Sequence, residues 1–216
     1  MTVLTNRFAG AVDYARIAHA VQVRKGTTIP YITHLLGVAT LVIEYGGSED
    51  QAIAGLLHDL LEDCGQGHEP IIRAEFGNAV ADIVLACTDG TAEGKASHSD
   101  PEARRLDWLQ RKRAYLAHLA ESSDAVLLVS GCDKLHNARA IVQDLEAPDV
   151  GTLVFGRFKG GAEGTLGYYE ALARIIRQRA VPVAPALDAA VSRMHVLAGV
   201  AERQPLASAF PASESR

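Results

Sequence analysis

Five ionisable residues interrupt apolar helical patterns in PYITHLLGVATLVIEYGGSEDQAIAGLLHDLLEDCG, residues 30 to 65: His34, His58, Asp59, Glu62 and Asp63. Asp59 and Asp63 are four apart, as are His58 and Glu62, so the spacing predicts that each pair stacks on a neighbouring face of one helix. Carboxylates flanked by Leu56, Leu57, Leu60 and Leu61 carry a large desolvation penalty if buried alone, and a divalent cation is one way to offset it. His34, His58 and Asp59 supply nitrogen and oxygen donors for a partial shell, so a further carboxylate is expected from another helix. Asp133 is the best candidate. It interrupts AVLLVSGCDKLHNA and is followed by Lys134, His136 and Asn137, an unusually polar group for a central helix. Two imidazoles and two carboxylates suit a six-coordinate ion such as manganese or iron, and composition excludes a closed four-cysteine zinc site. Taken singly, a helical histidine such as His19, His118 or His195 is ordinarily packed, capped or exposed. What points to a site is the order His…His-Asp…Asp, with Glu62 and Asp63 one turn on.

The elements that must position these residues are helical. Phe8, Val12, Ala15 and Ala18 form a stripe over about 5 to 23. Pro30 opens a second helix, with Ile32, Leu35, Leu36, Ala39, Val42 and Ile43 inward and Gly46-Gly47 ending it. Ser48 stands three residues before Gln51, a capping-box spacing, and starts the helix that carries Ile53 through Leu61. Short helices are predicted over 70–76, ending at Gly77, and over 78–87, and TDGTAEGKASHSDP has the composition of a loop. A long helix follows over roughly 101 to 121, with Leu106, Leu109, Leu116 and Leu119 on one side. DAVLLVSGCDKLHNARAIVQDL is the next. A glycine-rich stretch, 156 to 167, leads into YYEALARIIRQR, a last helix falls around 186 to 202, and the final dozen residues look frayed. Strand-like alternation is almost absent, so the fold class is an all-α bundle.

The chain of 216 residues is long enough to bury a core. No apolar run approaches the roughly 20 residues that span a bilayer, and MTVLTNRFAG lacks a signal-peptide core. Cys64, Cys87 and Cys132, odd in number and scattered, suit reduced thiols and a cytoplasmic location. A formal charge of −5 argues against a nucleic-acid coat, and no membrane partner is expected. Positive charge clusters at Arg24-Lys25, just before the PYITH segment, and at RKR 111–113, which is expected on a solvated helix face.

The segments HAVQVRKGTTIPYITHLLGVA, AGLLHDLLEDC, FGNAVADIVLACTD and CDKLHNAR resemble the HD superfamily of metal-dependent phosphohydrolases. More narrowly, they resemble the hydrolase domain of RelA/SpoT-type alarmone enzymes and their stand-alone small relatives, from about residue 8 to 180. The resemblance implies an HD hydrolase domain over 1–183, with 184–216 a C-terminal helix and tail on the same domain. It implies that His34, His58, Asp59 and Asp133 hold one Mn²⁺, and that Glu62 and Asp63 orient or deprotonate the attacking water. The implied substrate is a small-molecule nucleotide, guanosine tetra- or pentaphosphate (ppGpp or pppGpp), cleaved to pyrophosphate and GDP or GTP. Arg24 and Lys25 match the family's phosphate-gripping pair, Lys134 is a salt-bridge partner or a further cation, and Asn137 matches a position near the nucleoside. Tyr168, in preference to Tyr169, is the aromatic expected beside the nucleotide. The mixed α/β synthetase domain of the bifunctional enzymes has no counterpart before the chain ends, so hydrolysis alone is expected.

The sequence departs from many of those relatives at Cys132, where they have alanine, at Ala140, where they have threonine, and at Trp108, where some have lysine. These departures leave the metal set whole and bear on the nucleotide. An HD phosphatase for another nucleotide, such as a nucleoside monophosphate or the 2′-phosphate of NADPH, stays open, as does a non-catalytic nucleotide-binding module.

Overall fold

A computed structural model describes residues 2–88 and 100–206, and the loop expected over 88–101 and the frayed tail fall for the most part outside them. Among the described residues the secondary structure is helical, with one isolated antiparallel bridge between Val23 and Pro30. The residues form two compact units. One comprises 2–88 and 122–136, the other 100–121 and 137–206. The all-α expectation therefore holds.

In the first unit α1 (Asn6–Ala18) starts where the Thr5 hydroxyl accepts the Arg7 amide. It ends five residues earlier than its stripe predicts. The chain then reverses: Arg24 N–H donates to Ile29 O at 2.8 Å and Tyr31 N–H to Gln22 O at 2.9 Å. Gly26, at φ +73°, makes the tight turn between them that a side chain would strain. α2 (Ile32–Glu44) follows, with Leu35, Val38, Ala39 and Val42 buried and Leu36 on the exposed side.

The capping box at the start of α3 (Glu49–Leu57) is present in both directions. Gln51 N–H donates to Ser48 Oγ, and Ser48 N–H to Gln51 Oε1. Every residue from Ala52 to Leu57 is buried, so beyond its first turn α3 has no solvent face and forms the centre of the unit, against α1, α2 and α6 (Asn78–Cys87). Gly55 faces α2, where a Cβ would make ordinary contact 3.4 Å from Ala39 Cα. The sequence pattern predicts that this helix continues through Asp63. Instead it stops at Leu57, and a separate turn, α4 (Leu60–Asp63), follows a break at His58-Asp59. A 3₁₀ turn (Gln66–His68) and α5 (Glu69–Phe76) come next, and Gly77, at φ +91°, separates α5 from α6 as the sequence predicts.

α7 (Pro101–Ala120) opens the second unit, with Asp100 accepting the Ala103 amide. Leu116 and Leu119 are buried and Trp108 and Leu109 half-buried, whereas Leu106 is exposed. The long α8 (Asp124–Glu146) contributes residues to both units, and a 3₁₀ segment (Gly151–Arg157) follows it. α9 (Gly161–Gln178) is the central helix here, buried almost throughout from Gly164 to Ile176, and α10 (Ala184–Leu197) packs against it. The glycine-rich stretch expected to lead into this helix thus lies largely inside α9. Its glycines serve close packing: a Cβ at Gly160 or Gly164 would come within 2.5 or 3.0 Å of the Trp108 ring. The buried Glu170 carboxylate is held by Arg174 and Arg203, each at 2.7 Å.

Candidate metal centre

The break at His58-Asp59 and the neighbouring parts of α2 and α8 bring four side chains of the first unit together. His34 Nε2, His58 Nε2 and a carboxylate oxygen of Asp59 all lie within 4.8 Å of one another. Asp133 Oδ1 faces both rings, 3.2 Å from His34 Nε2 and 3.5 Å from His58 Nε2. Asp59 Oδ2 stands 3.0 Å from His58 Nε2 and 3.6 Å from His34 Nε2. Both imidazoles and Asp133 are buried, and Asp59 is partly so.

The electrostatics suit a cation. Burial pushes the Asp59 carboxyl up, but His58 beside it prevails and holds it well below the usual carboxylate range. For Asp133 burial is likewise outweighed, by Lys134 and then His58. Burial opposes charge on His58, yet Asp59 and Asp133 raise it well above the ordinary histidine value. The two Nε2 atoms nonetheless make no hydrogen bond. Buried imidazole nitrogens that converge on two carboxylates without hydrogen-bond geometry to either are the donor set of a divalent-cation site. The residues fit such an ion.

Around this group stand residues that fix it. Lys134 Nζ pairs with Asp133 Oδ2 at 2.5 Å, which leaves Oδ1 turned to the histidines. The Tyr31 hydroxyl donates to Asp59 Oδ2 at 2.5 Å, and burial with the adjacent Asp59 charge keeps that phenol protonated. His58 Nδ1 lies 2.9 Å from Gly55 O, and His34 Nδ1 3.0 Å from His136 Nδ1. Burial, then His34 and Arg24, push His136 down to about 4. One turn beyond Asp59, the Asp63 amide bonds Asp59 O at 2.9 Å, and Gln22 Nε2 donates to Asp63 Oδ2 at 2.8 Å. Gln22 Oε1 in turn meets His19 Nδ1 at 2.7 Å.

The residues read from the sequence thus divide. His34, His58, Asp59 and Asp133 converge, with Lys134 on Asp133, Glu62 and Asp63 on α4, and Arg24 and Lys25 on the turn that precedes α2. Asn137 and Tyr168 belong to the second unit. There Tyr168 is buried, edge-on to Trp108, with Lys112 Nζ 4.9 Å from its ring centroid. Lys112 of the RKR run is therefore half-buried rather than fully solvated, and Arg111 pairs with Asp107 at 3.2 Å. Tyr31, Gln22 and the role of His136 were not legible from the sequence. Their one signal is position: Tyr31 stands three residues before His34, and His136 three after Asp133.

Residues 11–155 match the family described as HD domain. The chain belongs to the HD domain family. An HD domain implies a divalent metal, and His34, His58 and Asp59 are disposed to hold one. Among similar proteins is one named guanosine-3′,5′-bis(diphosphate) 3′-pyrophosphohydrolase MESH1 from Xenopus tropicalis. It is 36% identical over 132 residues, which are 60% of this chain and 66% of that protein. Another, named guanosine-3′,5′-bis(diphosphate) 3′-pyrophosphohydrolase, from Aquifex aeolicus, is 34% identical over 131 residues, 61% of this chain and 17% of that one. The chain thus spans just under two thirds of the first relative and a small part of the second.

The HD fold is matched in a solved structure described as that of a metazoan orthologue of SpoT that hydrolyses ppGpp and acts in starvation responses. The TM-score is 0.66 at 22% identity, over 89% of this chain and 98% of that one. A second, lmo0812 from Listeria monocytogenes EGD-e, has a TM-score of 0.58 at 24% identity, over 78% of this chain and 95% of the other. Among the described residues, no helix is long and apolar enough to cross a membrane.

Proposed function

We propose that this HD domain is a Mn²⁺-dependent 3′-pyrophosphohydrolase of guanosine 3′,5′-bis(diphosphate) and its pentaphosphate counterpart. The observation that carries the reading is the convergence of the buried Nε2 atoms of His34 and His58 on the carboxylates of Asp59 and Asp133. Two relatives that bear the hydrolase name, matched over about three fifths of the chain, supply the substrate class. A bound divalent ion supplies Lewis acidity toward a phosphoryl oxygen and lowers the pKa of water.

The chain's own residues do the rest. Glu62 and Asp63, on the turn after Asp59, take the proton of the attacking water. Gln22 fixes the Asp63 carboxylate for that task, and Tyr31 fixes Asp59. The water oxygen adds to the phosphorus next to the ribose 3′-oxygen, which departs and takes up a proton, and pyrophosphate is released. Arg24 and Lys25, on the Gly26 turn, grip the phosphates. Lys134 keeps Asp133 oriented and adds positive charge. The three cysteines are free thiols, which supports a cytoplasmic setting.

The test is release of pyrophosphate from ppGpp by the purified chain with Mn²⁺, against E62A/D63A. Rapid release that vanishes in the control supports the reading. Manganese binding without release overturns the substrate, and nucleoside monophosphates and NADPH are then the panel to try, because Ala140 and Trp108 depart from the alarmone pattern.

A further inference from the structure

The two histidines of the centre are held in different ways. His58 Nδ1 lies 2.9 Å from the Gly55 carbonyl oxygen. A carbonyl can only accept, so Nδ1 carries the hydrogen, and the neutral ring keeps a lone pair on Nε2. His34 has no carbonyl at Nδ1. Its partner is a third imidazole, His136 Nδ1, at 3.0 Å. Two ring nitrogens in contact cannot both donate or both accept, so this contact admits two opposite arrangements. In one, His34 Nδ1 donates and its Nε2 lone pair faces the carboxylates. In the other, His136 donates, and the His34 hydrogen moves to Nε2, 3.2 Å from Asp133 Oδ1, where it closes the site to a cation.

We propose that His136 is a positioning residue for His34, accepting at Nδ1 and so selecting the tautomer whose Nε2 lone pair faces Asp59 and Asp133. The assignment rests on the reading of His34 and His58 as metal ligands. The packing supports it. His136 follows Asp133 by three residues on α8, and Gly37 follows His34 by three on α2, so each pair shares a helix face. The His136 ring lies edge-on to His34, centroids 4.8 Å apart, in the space that a side chain at residue 37 would occupy. A Cβ added at Gly37 would fall on the His136 ring itself. Glycine is disfavoured within a helix, and here its missing side chain is what seats the imidazole.

The experiment titrates Mn²⁺ into the full chain, following the paramagnetic resonance of the free ion, for the unaltered protein and for H34A, H136L, H136N and G37A. Asparagine offers Oδ1 as an acceptor near the place of the histidine Nδ1, so H136N keeps an affinity close to that of the unaltered chain. H136L and G37A bind more weakly by roughly 10- to 100-fold, the usual effect of losing a group that orients a ligand. Thermal unfolding in chelator confirms that each variant is folded. Alanine favours helix over glycine, so a loss in G37A is not a loss of α2. H136L and G37A that bind as tightly as the unaltered chain, while H34A does not, would overturn the role of His136 and leave the ligand reading standing. H136N weakened as far as H136L would overturn the acceptor role. Undiminished binding by H34A would sink the ligand reading, and this assignment with it.

Discussion

Replacing Asp133 by alanine separates the folding role of that carboxylate from its binding role, and the structure sets both magnitudes. Asp133 Oδ2 is 2.5 Å from Lys134 Nζ, and the two side chains are 5% and 15% exposed. Removing one partner of a buried pair costs about 3–5 kcal/mol. Lys134 keeps some access to water and can extend toward it, which favours the lower end. Loss of Asp133 also relieves its repulsion of Asp59, so the metal-free variant is expected to be about 1–3 kcal/mol less stable. The binding effect is read from the increment that metal adds. At a Mn²⁺ concentration about 100 times its dissociation constant, a site present only in the folded state adds about 2.7 kcal/mol. For a chain of this length that raises Tm by roughly 5–11 °C.

Groups that merely hold a ligand cost about 10- to 100-fold in affinity, so loss of the ligand itself is placed at about 100-fold or more. The same Mn²⁺ concentration then adds about 0.4 kcal/mol or less to D133A, a shift of roughly 1–2 °C. The assay is thermal unfolding of both proteins in chelator and in Mn²⁺. A lowered Tm in chelator alone says only that the pair with Lys134 is broken. A metal increment in D133A equal to that of the unaltered chain would refute the reasoning, whatever the baseline.

Three further outcomes follow from contacts around the site. Q22A removes the amide that donates to Asp63 at 2.8 Å; a hydrogen bond to a charged group is worth about 1.5–3 kcal/mol, so kcat should fall roughly 10- to 100-fold with KM little changed, and a rise in KM alone would contradict the orienting role. Y31F deletes the hydroxyl on Asp59 Oδ2 and should weaken Mn²⁺ binding about 10-fold in the same titration without unfolding the chain; unchanged affinity would place Tyr31 outside the site. Burial pushes the Cys87 thiol up to about 12 and also raises Cys64, which is the less buried of the two. Thiolate is the reactive form and becomes scarcer at a given pH as the pKa rises. Alkylation of the native protein near neutral pH, mapped by mass spectrometry, should therefore be slow, mark Cys64 first and quicken as pH rises; early labelling of Cys87 would contradict this.

Much of the centre was legible because its residues break a strong pattern. His34, His58, Asp59 and Asp133 each put charge into a stripe that burial would otherwise keep apolar, and that conflict is visible in one dimension. Ser48 and Gln51 were legible for a similar reason, since a capping box is local chemistry at fixed spacing. Tyr31, Gln22 and His136 are polar residues whose partners lie 28, 41 and 102 positions away. No periodicity encodes those pairings. The glycines are the opposite case. Gly160, Gly164 and Gly167 have the composition of a linker, but they are small because Trp108 and the backbone at Leu206 press against them. Glycine marks either a free backbone or a crowded one, and only the neighbours decide which.

The expected single helix through His58 and Asp59 could not have built this centre as it stands. Successive side chains on a helix point about 100° apart, whereas His58 Nε2 and Asp59 Oδ2 meet at 3.0 Å. The backbone departs from the helix at Asp59, where φ is −94° and ψ −2°. That departure also makes Gly55 one of the last carbonyls of α3, the group a helix end leaves without an amide partner. His58 Nδ1 fills the vacancy. An uninterrupted helix would offer that carbonyl the Asp59 amide instead, and the imidazole would lose the acceptor that holds its hydrogen at Nδ1. On the far side of the break the Asp59 carbonyl takes the Asp63 amide and restarts the chain as α4. One interruption thus aims the carboxylate, sets the histidine tautomer and begins the turn that carries Glu62 and Asp63.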